Sequence, residues 1–71
     1  MEKITKTNLK NLDLCCVEIT DTNNHKEKGW LVIRDNNYLL LPLESIWNRR
    51  IYKISHIKSV RILTNGLELK R

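Results

Sequence analysis

Short apolar blocks separated by polar turns run along the chain, and the clearest is GWLVIRD followed by NNYLLLP, from Gly29 to Pro42. Two runs rich in strand-forming residues flank the polar triplet Asp35, Asn36 and Asn37, whose side chains tolerate left-handed turns by bonding their own backbone. The pattern predicts a hairpin with strands over 29–34 and 38–42. Gly29 has no Cβ, so the first of these strands can bend sharply or lie close to another backbone there, as small closed barrels require.

Upstream, LCCVEIT over 14–20 is rich in β-branched residues, with Cys15, Val17 and Ile19 on one face and Glu18 and Thr20 on the other. It predicts the first strand. The polar run DTNNHKEK, 21–28, cannot bury much surface and predicts a loop too long for a tight hairpin. Nearer the start, Ile4, Leu9 and Leu12 recur close to helical spacing among Lys3, Lys6 and Lys10, a pattern compatible with a short amphipathic helix capped by Thr5 or Thr7.

After Pro42, LESIWNRR reads as a connection with one turn. The run RIYKISHIKSVRIL then sets Ile51, Ile54, Ile57 and Val60 three residues apart, which fits neither a helix nor a continuous strand. A tight turn at Ser55 and His56 resolves the conflict. Tyr52 and Ile54 then share one face before the turn, and Lys58, Val60 and Ile62 share one after it, as the fourth and fifth strands. Asn65 and Gly66 mark a last turn, beyond which Leu67 and Leu69 alternate with charges in a final short strand or a frayed end. The pattern as a whole describes one all-β domain over 1–71, a small five-stranded SH3-like barrel with room for a short N-terminal helix.

With 71 residues the core stabilises the domain only marginally, so a further prop is expected. Cys15 and Cys16 are neighbours whose side chains point to opposite faces of a strand, which leaves them as free thiols. No apolar run has transmembrane length and Met1 to Lys10 lacks a signal-peptide pattern, so the chain reads as soluble and cytoplasmic, with self-association as the favoured prop. The formal net charge is +5 and is unevenly placed. Residues 1–35 hold six Lys or Arg against six acids, while residues 36–71 hold seven against Glu44 and Glu68, which accounts for the whole excess. A basic half points toward nucleic acid or another polyanion, because neutralising phosphates releases condensed counterions.

Catalytic chemistry finds little support. His25 lies in a polar loop and His56 at the kink, and neither has a nucleophile and an acid at a workable spacing; Ser55 beside His56 is not a dyad, since adjacent residues in an extended chain point apart. Cys15, Cys16, His25 and His56 contain no pair at the two-to-four-residue spacing that chelates zinc readily. With only Gly29 and Gly66, the chain has no glycine-rich phosphate loop either. The expectation is a binding protein without cofactor or metal.

Five short strands with a sharp kink between the last two resemble the Sm-like family, and within it the bacterial Hfq type. There the second strand carries a glycine and, six residues later, an aspartate, followed by an apolar third strand; Gly29, Asp35 and Tyr38 to Leu41 match. The fourth strand of that type ends in a Tyr-Lys-His run, of which Tyr52 and Lys53 occupy the first two places, while His56 comes three residues after Lys53. The correspondence covers roughly residues 8–62. Two features of eukaryotic and archaeal Sm proteins are missing: Leu39 stands where they have an asparagine, and the Arg-Gly-Asp or Arg-Gly-Asn of the fifth segment is absent. The connection from Pro42 to Arg50 is also longer than its Hfq counterpart.

The resemblance implies a ring of about six or seven subunits, built when the fourth strand of one copy pairs with the fifth of the next. Single-stranded RNA would line its pore, with bases on aromatic rings and phosphates on Lys or Arg. The residues it nominates are Asn36, Asn37, Tyr52, Lys53 and His56, with Arg49 and Arg50 as rim cations. Each also has a plainer reading. Tyr38 and Tyr52 fit ordinary barrel positions, Asn36 and Asn37 need only form a turn, and Lys53, Lys58 and Arg61 suit a solvated face. The alternative function is a small SH3-like or PH-like protein-interaction module, an adaptor or inhibitor without nucleic-acid binding, that uses Trp30, Trp47 or an exposed strand edge.

Overall fold

The structure is a computed structural model and describes residues 2–71. The chain forms β1 (Glu2–Lys3), α1 (Lys6–Lys10), β2 (Cys16–Asp21), β3 (Lys26–Arg34), β4 (Asn37–Pro42), β5 (Arg50–Tyr52), a 3-10 turn (Ile54–His56), β6 (Ile57–Ile62) and β7 (Glu68–Lys70). These strands make one sheet in the order β1-β7-β6-β2-β3-β4-β5, antiparallel except where β1 joins β7. The expected five strands are present, but the count is corrected to seven: β7 and β1 extend the sheet beyond β6. No ladder among the described residues joins β5 to β1, so the sheet is open.

Gly29 sits where β3 passes from one partner to the other, with the Leu41 and Pro42 backbone close against it. β3 pairs with β2 through residues 26–30 and with β4 through residues 29–34, so the strand changes partner around Gly29 and Trp30. α1 has Thr5 as its N-cap, whose hydroxyl accepts the Asn8 N–H at 3.0 Å. Five residues cannot hold a helix in water alone, so its stability comes from burying Leu9, with Ile4 and Leu12 beside it. Leu9, Val17, Ile19, Leu31, Leu40, Ile57 and Val60 are the most fully enclosed side chains of the core.

The loop expected over 21–28 is shorter, because Lys26 to Lys28 belong to β3. Asp21 makes the short connection possible: its Oδ1 accepts the N–H groups of Asn23 and His25, each at 2.9 Å, and Asn24 takes a positive φ of 66°. The next turn tightens likewise. Asp35 and Asn36 both have positive φ, as a two-residue hairpin turn requires, while Asn37 is already in β4 opposite Arg34.

The three-residue spacing of 51, 54, 57 and 60 has a different resolution from the one expected. The 3-10 turn falls where the kink was predicted, but a register shift between Thr20 and Asp21 sets Ile57 opposite Asp21 and Ser59 opposite Thr20. Ile57 and Val60 are therefore both buried, and Lys58 is turned outward instead of sharing the Val60 face.

The outward side of the sheet divides in two. Across β3, β2, β6 and β7, register sets Lys28, Glu18, Arg61 and Glu68 in one row and Lys26, Thr20, Ser59 and Lys70 in the next. Towards the other edge the matching rows are apolar: Val32, Leu39 and Ile51 across β3, β4 and β5, and Cys16, Trp30 and Leu41 across β2, β3 and β4. Ile51 is 62% exposed and Trp30 45%. The apolar runs WLVI and LLL thus cover both faces of a sheet that buries only one.

Candidate nucleic-acid interface

β4 positions β5, and β5 positions Tyr52. Tyr38 and Tyr52 face each other across this ladder, Tyr38 inside the core and Tyr52 partly buried against it. One open groove runs between the β2–β3 turn and β5, with Asp21, His25, Lys26 and Glu27 on one wall and Arg49, Arg50, Ile51 and Tyr52 on the other. A smaller one sharing Ile51, Tyr52 and Asp21 with it brings Tyr52 together with His56 and Thr22. The 3-10 turn is held to the β2–β3 turn by the Thr22 N–H, which donates to the His56 carbonyl at 3.1 Å. Arg71 braces it from the other side, donating from Nε to the Ile57 carbonyl at 2.8 Å and from its second guanidinium nitrogen to the Ile54 carbonyl.

Charge in this groove is nearly balanced. Arg50 Nε lies 3.2 Å from Glu27 Oε1, and His25 Nδ1 lies 3.7 Å from Asp21 Oδ2. Burial, and then the carboxylates of Glu27 and Asp21, push the Tyr52 hydroxyl above its ordinary pKa, while Arg50 pulls the other way. The phenol is therefore a neutral donor and acceptor at any ordinary pH, on a side chain that lines the groove.

Of the residues nominated from the sequence, Arg49, Arg50, Tyr52 and His56 come together in these two grooves. Asn36, Asn37 and Lys53 line neither. Asn36 lies in the β3–β4 turn, Asn37 opens β4 opposite Arg34, and Lys53 is the exposed N-cap of the 3-10 turn. The larger concentration of positive charge lies elsewhere, on the outward side of β2, β6 and β7, where Lys26, Lys58, Arg61, Lys70 and Arg71 line a groove with only Glu18 and Glu68 opposing them. Lys26 and Lys70 were not nominated because they meet only through three successive strand registers, which no local spacing reports.

The strand pairing implied by the resemblance meets an obstacle. β6 is flanked on both sides within the same chain, by β2 and by β7, so its edge is not open to a neighbour. The free edges are β5 and β1. No helix among the described residues is long and apolar enough to cross a membrane, and Cys15 and Cys16 are free thiols. Comparison of the chain with protein-family models, curated proteins and solved structures gave no match.

Proposed function

We propose that the chain is a non-enzymatic Sm-like protein of the Hfq type that binds single-stranded RNA and assembles with copies of itself in a ring. The observation that carries the reading is Tyr52, which lines one open groove together with Arg49, Arg50 and His25 and a second together with His56. A base stacked on such a ring gains about 1 to 3 kcal/mol, and repetition around an assembly multiplies the contact. The order helix, strands β2 to β5, 3-10 turn and β6 supports the family reading, since it follows the sequence of elements that the resemblance implies.

Assembly uses the free edges. With β6 covered by β7, the contact runs from β5 of one copy to β1 of the next, a head-to-tail joint that closes into a ring when its rotation allows. The apolar strip of Trp30, Leu39, Leu41 and Ile51 beside the β5 edge gives that contact its hydrophobic part.

A second reading is favoured by Trp47, which is 88% exposed in the β4–β5 connection with Leu43 and Ile46 exposed near it in sequence. These side chains suit a protein-interaction module, an adaptor or inhibitor, in which an aromatic anchor enters a partner's pocket. One pair of measurements separates the two. Light scattering on nuclease-treated protein gives a mass several times 8.5 kDa in the first reading, and Tyr52→Ala then weakens binding of a single-stranded RNA oligomer about tenfold while Trp47→Ala leaves it unchanged. A persistent monomer that binds no RNA sinks the first reading.

A further inference from the structure

We propose that the outward side of β2, β6 and β7 is a phosphate track for single-stranded RNA, distinct from the Tyr52 groove; this rests on the RNA-binding reading above. The cross-strand row Lys26, Thr20, Ser59 and Lys70 places a lysine at each end of two hydroxyl residues. Adjacent strands lie about 4.8 Å apart, so the row spans about 14 Å between its end Cα atoms. Lys58 joins it because the register shift turns this residue outward, and its Nζ donates to Asn24 Oδ1 at 2.6 Å. Arg71 reaches the same groove while its guanidinium holds the 3-10 turn.

Charge decides what the track takes. Five cations line it against two carboxylates, Glu18 paired with Arg61 at 3.1 Å and Glu68 with Lys70 at 3.0 Å, which leaves an excess of three positive charges. Thr20 and Ser59 line the same groove, and their hydroxyls are of the donor type suited to phosphate oxygens. Aromatic side chains are absent from this lining, so it contacts the backbone and not the bases. The Tyr52 groove has the opposite character, an aromatic ring with balanced charge. Lys26 lines both grooves, which makes them neighbours on one path over the β2–β3 hairpin.

The test is the salt dependence of binding of a fluorescent single-stranded RNA oligomer to wild type, to the triple variant Lys26→Gln, Lys58→Gln, Lys70→Gln, and to Tyr52→Ala, with inorganic polyphosphate as a base-free probe. Circular dichroism confirms that each variant is folded. The track predicts that the triple variant loses at least tenfold in affinity at low salt and that its log–log salt slope falls by about 2, at roughly 0.7 per lost phosphate contact, while Tyr52→Ala keeps the wild-type slope. RNA binding that depends on Tyr52 but is unchanged in slope and affinity in the triple variant overturns the track and spares the RNA reading. Wild type that binds polyphosphate through the three lysines but no RNA overturns the assignment to nucleic acid.

Discussion

Gly29 and Leu41 are in backbone contact across the β3–β4 ladder: a Cβ at Gly29 would fall inside the carbonyl oxygen of Leu41 and within 2.9 Å of the Pro42 Cα. The contact sits where β3 passes from β2 to β4, and the absence of a side chain is what lets the two backbones approach so closely there. Neither atom that blocks the Cβ belongs to a flexible side chain.

Gly29→Ala is therefore expected to destabilise the fold by about 1 to 3 kcal/mol, the range for forcing an extra group into a packed site. Gly66→Ala is the comparison. Gly66 has a φ of 75° and open space around its Cβ position, so the cost there is backbone strain alone, about 1 to 2 kcal/mol. Urea denaturation of both variants checks the order. A Gly29→Ala protein as stable as wild type would remove the close approach as the reason for this glycine.

Asp13 ties the segment after α1 to the sheet. Its Oδ1 accepts the backbone N–H of Ile33 at 2.8 Å in a partly buried position, and Oδ2 lies 3.6 Å from Arg34. Removing a charged acceptor from a buried N–H costs about 1.5 to 3 kcal/mol, which is the loss expected for Asp13→Ala in thermal denaturation. Asp13→Asn keeps an acceptor and should lose clearly less.

Alkaline pH provides a test of the Tyr52 environment. Burial and the Glu27 and Asp21 carboxylates raise the hydroxyl above 10.0, so the folded chain prefers the neutral phenol. That contribution to stability is complete below pH 10.0 and is lost as pH rises through the folded value. The stability difference between wild type and Tyr52→Phe should stay constant up to about pH 10 and then move in favour of the variant. A difference that stays flat through pH 11 would contradict the buried setting of the hydroxyl.

The proposed self-association through the β5 edge would make Ile51 the sensitive position. A lysine on an edge strand blocks pairing with another chain, so Ile51→Lys should lower the mass measured by light scattering at every concentration. Leu67→Lys, at a side chain that is 61% exposed but outside both free edges, should leave the mass unchanged.

Local chemistry was readable from the chain. Alternation in 14–20 located β2 and its buried Val17 and Ile19, the Gly29 position announced the close backbone approach in β3, Asp35 and Asn36 marked the hairpin turn, and Ser55 and His56 fell inside the 3-10 turn. Thr5 capped the helix as its side chain allows. Among the candidate site residues, Arg49, Arg50, Tyr52 and His56 lie in two adjoining grooves because they belong to one short stretch of chain that leads into the kink.

What escaped the sequence were relationships between distant segments. The short β2–β3 turn depends on one Asp21 oxygen accepting two N–H groups, and the outward turn of Lys58 depends on a register shift against β2. The cover that β7 gives to β6, and the basic row from Lys26 to Lys70, arise only when four strands are aligned. Side-chain period and turn chemistry act over a few residues and so can be read along the chain. Register, edge occupancy and the meeting of charges are set by long-range pairing, in which moving a strand by one residue exchanges its two faces, and so they belong to the folded molecule.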